Sequence, residues 1–403
     1  MKRKIHTAGL LIAIAALTAC CCRTKPENND VIAQVLSTAN RQIGHQVNLM
    51  EASGQTLNPR TVKNGNVLYT PCEEWTSGFF AGTMWYMYEL TGNARWKDLG
   101  IKYTERLDSM QYFTRHHDIG FIIYCSYGNA YRITKNPAYE SILTESAKSL
   151  CTRYRPGAGV IQSWDEDRGW QSTRGWMCPV IIDNMMNLEL LFEATRITGD
   201  ATFRNIAVSH ADATLRNHFR ADYSCYHVVD YDKRSGEVRS RITAQGYADE
   251  SAWARGQAWA LYGFTVCYRE TKDPRYLEIA GKIYDFLFSN KNMPDDLVPY
   301  WDFDAPNIPN EPRDASSAAI IASALYELSR YGQAKYRETA DRIIASLASP
   351  AYLAIVGTNG NFLLMHSVGS IPHHSEIDVP LNYADYYFLE ALVRKRNIFS
   401  SDH

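Results

Sequence analysis

The strongest constraint on the fold of this chain is a short junction that recurs along its length. It occurs at residues 91–96, 134–139, 198–203 and 271–276, and in a looser form at 331–336, each time as polar or glycine residues followed by an aromatic residue. An apolar segment with helical periodicity precedes and follows each copy. Glycine or a polar residue can end the first helix, Asn or Asp can cap the second, and proline fits its first turn. Each junction therefore predicts a helical hairpin.

The residues whose side chains are suited to catalysis or sugar binding lie at the opposite ends of these helices. Four of them precede a junction by 15 or 16 residues: Trp75, Asp118, Asp183 and Arg255. A helix of that length rises about 22 Å, so all four are expected at one rim. A fifth helix start follows at Arg313-Asp314, a sixth lies around Tyr383, and residues 30–50 supply the remaining helix. Six hairpins close without a free end, whereas an open superhelix would need polar capping repeats. We therefore predict an all-α fold, an (α/α)6 barrel.

The first thirty residues predict export. A basic start precedes a short apolar run and Leu17-Thr-Ala-Cys20, which resembles a bacterial lipoprotein processing site. The run is too short to span a bilayer, so residues 1–19 are interpreted as a removable signal peptide, with an uncleaved anchor as the alternative. Cys20 is then the lipidation site, residues 20–30 form a tether, and residues 31–403 form a single domain. The protein is expected on the periplasmic side, attached to the membrane only through this lipid.

Charge and cysteine content exclude several classes of function. The formal net charge is −2, so no general basic field would recruit nucleic acid, and we find no nucleic-acid motif in the sequence. Six cysteines follow the processing site, and their spacing fits no metal template. Neither a metal nor a cofactor is expected. The 26 tyrosines and 9 tryptophans exceed what a helical core needs, and such rings suit stacking on sugars, although core packing is their commoner use.

The motifs at the predicted rim combine tryptophans, isolated aspartates, histidines and an arginine. They are Glu73-Glu74-Trp75-Thr-Ser-Gly78-Phe79, Arg115-His116-His117-Asp118-Ile-Gly120-Phe121, Gln162-Ser-Trp164-Asp165, Ile182-Asp183-Asn184-Met-Met-Asn187, His227, and the segment from Gln245 to Trp259. Flat rings can stack on sugar carbons, carboxylates can move protons, and a guanidinium can meet an anionic group. The rim therefore predicts a saccharide pocket. Taken singly, the aspartates would be helix caps, the tryptophans core residues and His227 a buried histidine.

At these residues the chain resembles glycoside hydrolase family 88, the unsaturated glucuronyl hydrolases. The resemblance implies a six-hairpin barrel that removes a terminal 4,5-unsaturated uronic acid from oligosaccharides made by polysaccharide lyases, glycosaminoglycan disaccharides above all. It implies that Asp183 is the general acid/base and Asp118 the second essential carboxylate. It also implies a sugar site lined by Trp75, His117, Trp164, His227, Gln245, Trp253, Arg255, Trp259 and Tyr383.

The chemistry explains why such a site needs a protonated carboxyl group. An unsaturated uronate is an enol ether, so cleavage can begin with protonation at C4 followed by attack of water at C5. We expect the pKa of Asp183 to be raised by apolar and aromatic walls, and Asp118 to stay ionised among polar neighbours.

Three alternatives remain open at this point. A related class acts on unsaturated galacturonyl-rhamnose, although the Trp253-Ala-Arg-Gly-Gln-Ala-Trp259 and His116-His117-Asp118 contexts argue against it. A sugar epimerase would need paired histidines, and a non-catalytic glycan-binding lipoprotein would not need the acids. The loop from His366 to Asp378 should overhang the pocket. Some members of the family recognise sulfate there with Ser and Lys, but this chain has no Lys or Arg between Gly357 and Arg394. A preference for sulfated sugars therefore cannot be carried over.

Overall fold

The structure, a computed structural model, describes residues 28–401. The predicted signal peptide, Cys20 and most of the predicted tether lie outside the described residues. The helices are, in chain order, α1 (Asn28–Ala52), α2 (Ser77–Thr91), α3 (Ala94–Glu105), α4 (Ile119–Ile123), α5 (Asn129–Thr134), α6 (Ala138–Cys151), α7 (Leu188–Thr198), α8 (Ala201–Asn217), α9 (Ala254–Thr271), α10 (Pro274–Ser289), α11 (Ala315–Leu328), α12 (Ala334–Leu347) and α13 (Asn382–Ser401).

The helices form two concentric rings, which confirms the predicted (α/α)6 barrel. The inner ring contains α2, the α4–α5 segment joined by a π turn at Tyr124–Gly128, α7, α9, α11 and α13. Its helices are buried over most of their length, and α11 is buried at every position. The outer helices are amphipathic. In α10, for example, the buried positions are Tyr276, Ile279, Ala280, Ile283, Tyr284 and Leu287, the spacing of one helical face.

The ring closes between the last inner helix and the first. Asn382 Nδ2 donates to the Thr76 carbonyl oxygen at 3.0 Å, and deeper in the barrel the Tyr86 hydroxyl donates to Glu390 at 2.7 Å. Helix α1 fills the remaining outer position between α3 and α12, because Asn40 accepts from Trp96 Nε1 at 3.0 Å while Gln34 donates to the Ala348 carbonyl. The first and last described helices, α1 and α13, thus complete one closed core.

Four of the five predicted junctions share one set of hydrogen bonds. Each threonine hydroxyl donates to the carbonyl four residues earlier and accepts from the backbone N–H two residues later, as Thr91 does with Met87 and Asn93. The same pair of bonds occurs at Thr134, Thr198 and Thr271. The residue after threonine is left-handed, with φ of 68° at Gly92 and 54° at Lys135. The repeated threonine therefore fixes the helix-to-helix turn.

Short antiparallel sheets add to the predicted all-α fold at the rim. They are the hairpins β1 (Asn58–Lys63) with β2 (Asn66–Thr70), β3 (Tyr154–Arg155) with β4 (Val160–Ile161) and β8 (Ser367–Ser370) with β9 (Ser375–Val379), and the sheet of β5 (Pro179–Ile181), β6 (Val228–Tyr231) and β7 (Val238–Ile242). All lie in the connections that precede inner helices. These connections are the longest in the chain, and they build the walls above the barrel.

Candidate active site

Asp183 lies in the first turn of a short 3-10 helix, Ile182–Asn187, so the predicted helix start is a 3-10 turn rather than the first turn of an α-helix. Strand β5 precedes this turn and pairs with β6, the Ile182 N–H donates to the His227 carbonyl at 3.0 Å, and α7 begins directly after the turn. The turn places Asp183 at a cavity on the rim of the barrel. Asp183 is 7% exposed, and its Oδ2 atom is buried without a hydrogen-bond partner among the described residues.

Two asparagines after Asp183 attach this turn to neighbouring elements. Asn184 donates to the Ile161 carbonyl at 2.7 Å, and Asn187 accepts from the Phe121 N–H at 3.0 Å. Gly120 is needed at that contact because a β-carbon there would overlap Asn187. Since Phe121 belongs to the helix that begins after Asp118, the Asp-Asn-Met-Met-Asn motif fixes the two predicted catalytic aspartates relative to each other.

Asp118 precedes α4 and is held by the two histidines before it. Its Oδ2 atom lies 3.1 Å from His116 Nδ1, and its Oδ1 atom lies 3.2 Å from His117 Nε2. Asn187 Nδ2 is 3.3 Å from His117 Nδ1, which must therefore be the acceptor and leaves the proton on Nε2, facing Asp118. Each carboxylate oxygen of Asp118 therefore lies next to a histidine ring nitrogen.

The two aspartates have opposite electrostatic environments. Burial raises the pKa of Asp183 to about 7; the nearby charge of Asp118 adds to this, and Arg255 works against it. Burial alone would also raise the pKa of Asp118, but His117, His116 and Arg153 outweigh it, so this pKa is lowered. The site therefore holds a carboxyl group that can carry a proton at neutral pH beside one that stays ionised.

Both aspartates open into one cavity of about 250 Å³ at the rim. Five of the predicted sugar-binding residues line it with them: Trp75, Trp164, Gln245, Arg255 and Tyr383. Trp75 packs against Tyr383 with ring centroids 4.9 Å apart, so the aromatic wall comes from the turn before α2 and from the last inner helix, α13. The fold thus brings together side chains that are more than 300 positions apart in the sequence.

The other four predicted sugar-binding residues lie behind this lining and do not form part of it. His117 is fully buried beneath Asp118. The Nδ1 atom of His227 accepts from the N–H groups of Ala244 and Gln245, so its protonated Nε2 atom faces Asp183 Oδ2 at 3.7 Å. Two buried tryptophans complete this layer, Trp253 under the Arg255 guanidinium at 4.5 Å and Trp259 against Phe121 at 5.2 Å.

Arg255 lines the cavity, but its donors are largely occupied by the protein. It donates to the carbonyl oxygens of Val368 and of Gly369, the latter at 2.7 Å, and pairs with Asp314 at 3.4 Å. The rim motifs predicted that this guanidinium meets an anionic group of the sugar. The structure shows it fastening the β8–β9 hairpin to α9 and α11, with its positive charge still at the cavity wall.

The sequence reasoning missed several lining residues. Arg60 forms a bidentate pair with Glu376 at 2.5 and 2.9 Å and contacts Glu74 at 2.7 Å, linking β1 to β9 and to the segment before α2. Trp170 and Gln171 come from the segment after Trp164, and the overhanging loop contributes Gly369, Ser370, His373, Ser375 and Glu376. The even spacing of Trp164, Trp170 and Trp176 was a signal that could have revealed this wall.

Other features of the described residues bear on the functional class. Within residues 28–401, no cluster of His, Cys, Asp and Glu side chains is arranged to hold a metal ion, and no helix has both the length and the apolar character needed to cross a bilayer. The six cysteines in this part of the chain are free thiols.

Comparison with known proteins agrees with this geometry. The model of glycosyl hydrolase family 88 matches residues 53–392. An unsaturated glucuronyl hydrolase of Formosa agariphila is 48% identical over 330 residues, 81% of each chain, and an unsaturated chondroitin disaccharide hydrolase of Streptococcus agalactiae is 33% identical over 331 residues, 80% of this chain and 81% of the relative.

Solved structures give the same result. The crystal structure of an unsaturated glucuronyl hydrolase specific for heparin superposes with a TM-score of 0.87 at 45% identity, covering 92% of this chain and 98% of the other. The family resemblance read from the rim motifs is therefore confirmed. The chain belongs to glycosyl hydrolase family 88, and it is a glycosidase of the unsaturated glucuronyl hydrolase class.

Proposed function

We propose that Asp183 protonates C4 of a terminal 4,5-unsaturated uronate and that Asp118 stays ionised beside it. The observation that carries this proposal is the contrast between the two carboxyl groups of one cavity. Asp183 has a raised pKa of about 7 and an unpartnered oxygen, whereas Asp118 has a lowered pKa and two histidine partners. A proton donor must be protonated at the working pH and must not be engaged elsewhere.

The proposed reaction balances without a cofactor. The Asp183 proton forms a bond to C4, and the positive charge that develops at C5 and the ring oxygen is stabilised by the Asp118 carboxylate. Water then attacks C5 and returns a proton to Asp183. The resulting hemiketal opens by breaking the bond between C5 and the ring oxygen, which leaves a ketone at C5 and a hemiacetal at C1. Collapse of that hemiacetal releases the second sugar.

Neighbouring residues suit the other demands of this reaction. Trp75 and Tyr383 offer an aromatic wall against which a flat, partly unsaturated ring can stack. His227 directs a fixed N–H at Asp183 from behind the lining, and Gln245 adds an amide at the lining itself. The positive charge of Arg255 favours a uronate carboxylate even though most of its donors are occupied.

We propose glycosaminoglycan-derived disaccharides as substrates, because relatives over four fifths of the chain are unsaturated glucuronyl and chondroitin disaccharide hydrolases. The test is loss of the near-ultraviolet absorbance of the conjugated alkene, measured on disaccharides from heparin, chondroitin, hyaluronan and pectin lyases. We expect turnover of at least one glycosaminoglycan disaccharide. Turnover of the pectin-derived disaccharide with inactivity on the other three would contradict the proposed substrate class and favour a rhamnogalacturonyl hydrolase.

We also propose that the mature protein is a periplasmic lipoprotein attached through Cys20. The support is the signal-like start of the sequence and the small residues before that cysteine. Labelling with a radioactive fatty acid in a Gram-negative host should mark the wild type and leave Cys20→Ala unlabelled. Equal labelling of both proteins would overturn the assignment.

A further inference from the structure

The size of the catalytic cavity leaves the second sugar of a disaccharide outside it. Cavities that enclose drug-sized ligands measure about 300–1,000 Å³, and the cavity at Asp118 and Asp183 measures about 250 Å³. It can therefore hold about one sugar ring. With the unsaturated uronate at the aspartates, the leaving sugar must rest on the rim.

A cluster of tryptophans forms one side of that rim. Trp164 stacks on Trp176 with centroids 5.8 Å apart, and Trp170 meets these two rings edge-on at 5.1 and 5.7 Å. Trp170 is 39% exposed and packs against His373 of the overhanging loop at 5.0 Å. Trp164, Trp170 and His373 all line the catalytic cavity, so the cluster is continuous with the active site.

Arg174 adds a positive charge to this cluster. Its guanidinium carbon lies 5.4 Å from the Trp170 ring and 5.7 Å from the Trp176 ring. Its side chain is exposed, and no acidic side chain within residues 28–401 forms an ion pair with it. Burial and the charge of Arg174 together lower the pKa of His373. Because His373 lines the cavity, the positive charge of Arg174 acts at the cavity mouth.

The other arginines around the cavity are already neutralised or engaged. Arg60 is held between Glu74 and Glu376, and Arg255 is held by Asp314 and two carbonyl oxygens. On the same segment as Arg174, the exposed Arg168 lies 3.8 Å from Asp165 and 3.9 Å from Asp167. Arg174 therefore differs from these neighbours in having a charge that the protein does not balance.

We propose that Arg174 is a specificity-determining residue that binds a sulfate ester on the leaving sugar. A planar guanidinium supported by two aromatic rings is pre-organised for an oxyanion, and its unbalanced charge favours an anionic substituent over a hydroxyl group. This inference rests on the proposed substrate class. Arg174, in the segment after Trp164, supplies the cation that the overhanging loop lacks.

The test compares kcat/KM for matched unsaturated disaccharides with and without a sulfate on the amino sugar. In Arg174→Gln we expect kcat/KM for the sulfated substrate to fall about 10-fold, the effect of one charge-assisted contact at an exposed site. The value for the unsulfated substrate should change less than 2-fold. Arg174→Lys should recover part of the loss, and raising the salt concentration should reduce the advantage of the wild type over Arg174→Gln.

Arg168→Gln is the matched control, because it removes another exposed arginine from the same segment, one that is paired with acidic side chains. It should affect both substrates alike and slightly. Equal losses on both substrates in Arg174→Gln would show that the arginine only packs the tryptophans and would overturn the proposal, as would no loss on either. A wild type that hydrolyses none of the glycosaminoglycan disaccharides would refute the proposed substrate class instead, which keeps the two failures distinguishable.

Discussion

The two ends of the barrel both contain cavities lined by charged residues, but the two cavities differ in how far those charges are paired within the protein. The cavity opposite the rim is the larger, about 1,050 Å³ against about 250 Å³. Its acids and bases form a continuous network. Arg269 contacts Glu189 at 2.6 Å, Glu327 at 3.0 Å and Glu270 at 2.8 Å, and Arg394 contacts Glu327 at 3.0 Å. Glu390, at its centre, accepts from Tyr86, Tyr262 and Ser323.

At the rim, by contrast, Asp183 has an oxygen that no described group satisfies, and burial shifts its pKa to about 7. The proposed active site is therefore in the smaller of the two cavities. What favours it is a buried, titratable group with an unsatisfied oxygen. Such a group costs stability when it is left unpaired, and such groups are typical of functional sites. The following experiments test this difference between the ends.

The largest effect on activity is expected from replacing the proton-donating carboxyl group of Asp183. Asp183→Asn keeps the shape but cannot deliver a proton to C4, so turnover should fall by a factor of about 10²–10⁴ or more. The carboxylate-to-amide control at the opposite end is Glu390→Gln, which should keep kcat/KM within a few-fold of the wild type. Turnover by both variants is measured as the loss of alkene absorbance. Appreciable turnover by Asp183→Asn would refute the assignment of Asp183 as the acid.

The next effect concerns stability at the opposite end. Arg269→Met removes the cation that Glu189, Glu270 and Glu327 share, and Glu189 then has no other ion-pair partner among the described residues. Removing one partner of a buried ion pair costs about 3 kcal/mol of unfolding free energy. Urea unfolding at pH 7 should reveal this loss. Initial rates in the absence of urea should stay near wild type, and a selective collapse of kcat would mean that the two ends are coupled.

A stability effect of similar size links the active site to pH. The folded-state pKa of Asp183, about 7, lies above its ordinary value of 3.8, so unfolding releases a proton between these pH values and stability falls as pH rises from about 4 to 7. The loss is on the order of 1.4 kcal/mol for each unit of pKa displacement. Asp183→Asn lacks this titration, so its unfolding free energy should exceed that of the wild type by more at pH 8 than at pH 4.5. A difference that does not change with pH would argue against a raised pKa.

The smallest effect is the slope of the activity profile. The acid must be protonated in the free enzyme, so kcat/KM should fall about tenfold, or 1.4 kcal/mol, for each pH unit above about 7. The lowered pKa of Asp118 should keep the acidic limb below the ordinary aspartate range. A profile that stays flat to pH 9 would contradict the assignment of Asp183 as the acid. If Glu390→Gln still loses activity above about pH 7, the titrating group is not Glu390, which supports its location at the rim.

The sequence predicted the barrel because its signals are local. Four of the five junctions carry their own threonine hydrogen bonds and a left-handed residue, and Asn93, Asp200 and Asp273 add a side-chain cap, all within a few residues. The motifs around Trp75, Asp118, Asp183 and Arg255 also marked the correct rim, since one helix length separates each from its junction. Helical periodicity did not reveal the short strand before Asp183, because three residues are too few to show a period.

The sequence by itself determined the number of hairpins and predicted that Trp75, Asp118, Asp183 and Arg255 share one end of the barrel. Only the tertiary structure decided which residues line the cavity and which support it. His117, His227, Trp253 and Trp259 lie behind the lining, whereas Arg60, Trp170 and His373 lie in it. Only the structure also showed that Arg255 is engaged by Val368 and Gly369 while Arg174 has no acidic partner among the described residues. The physical reason is that burial, pairing and pKa depend on segments that meet from distant parts of the chain, and residue spacing along one helix contains no information about those meetings.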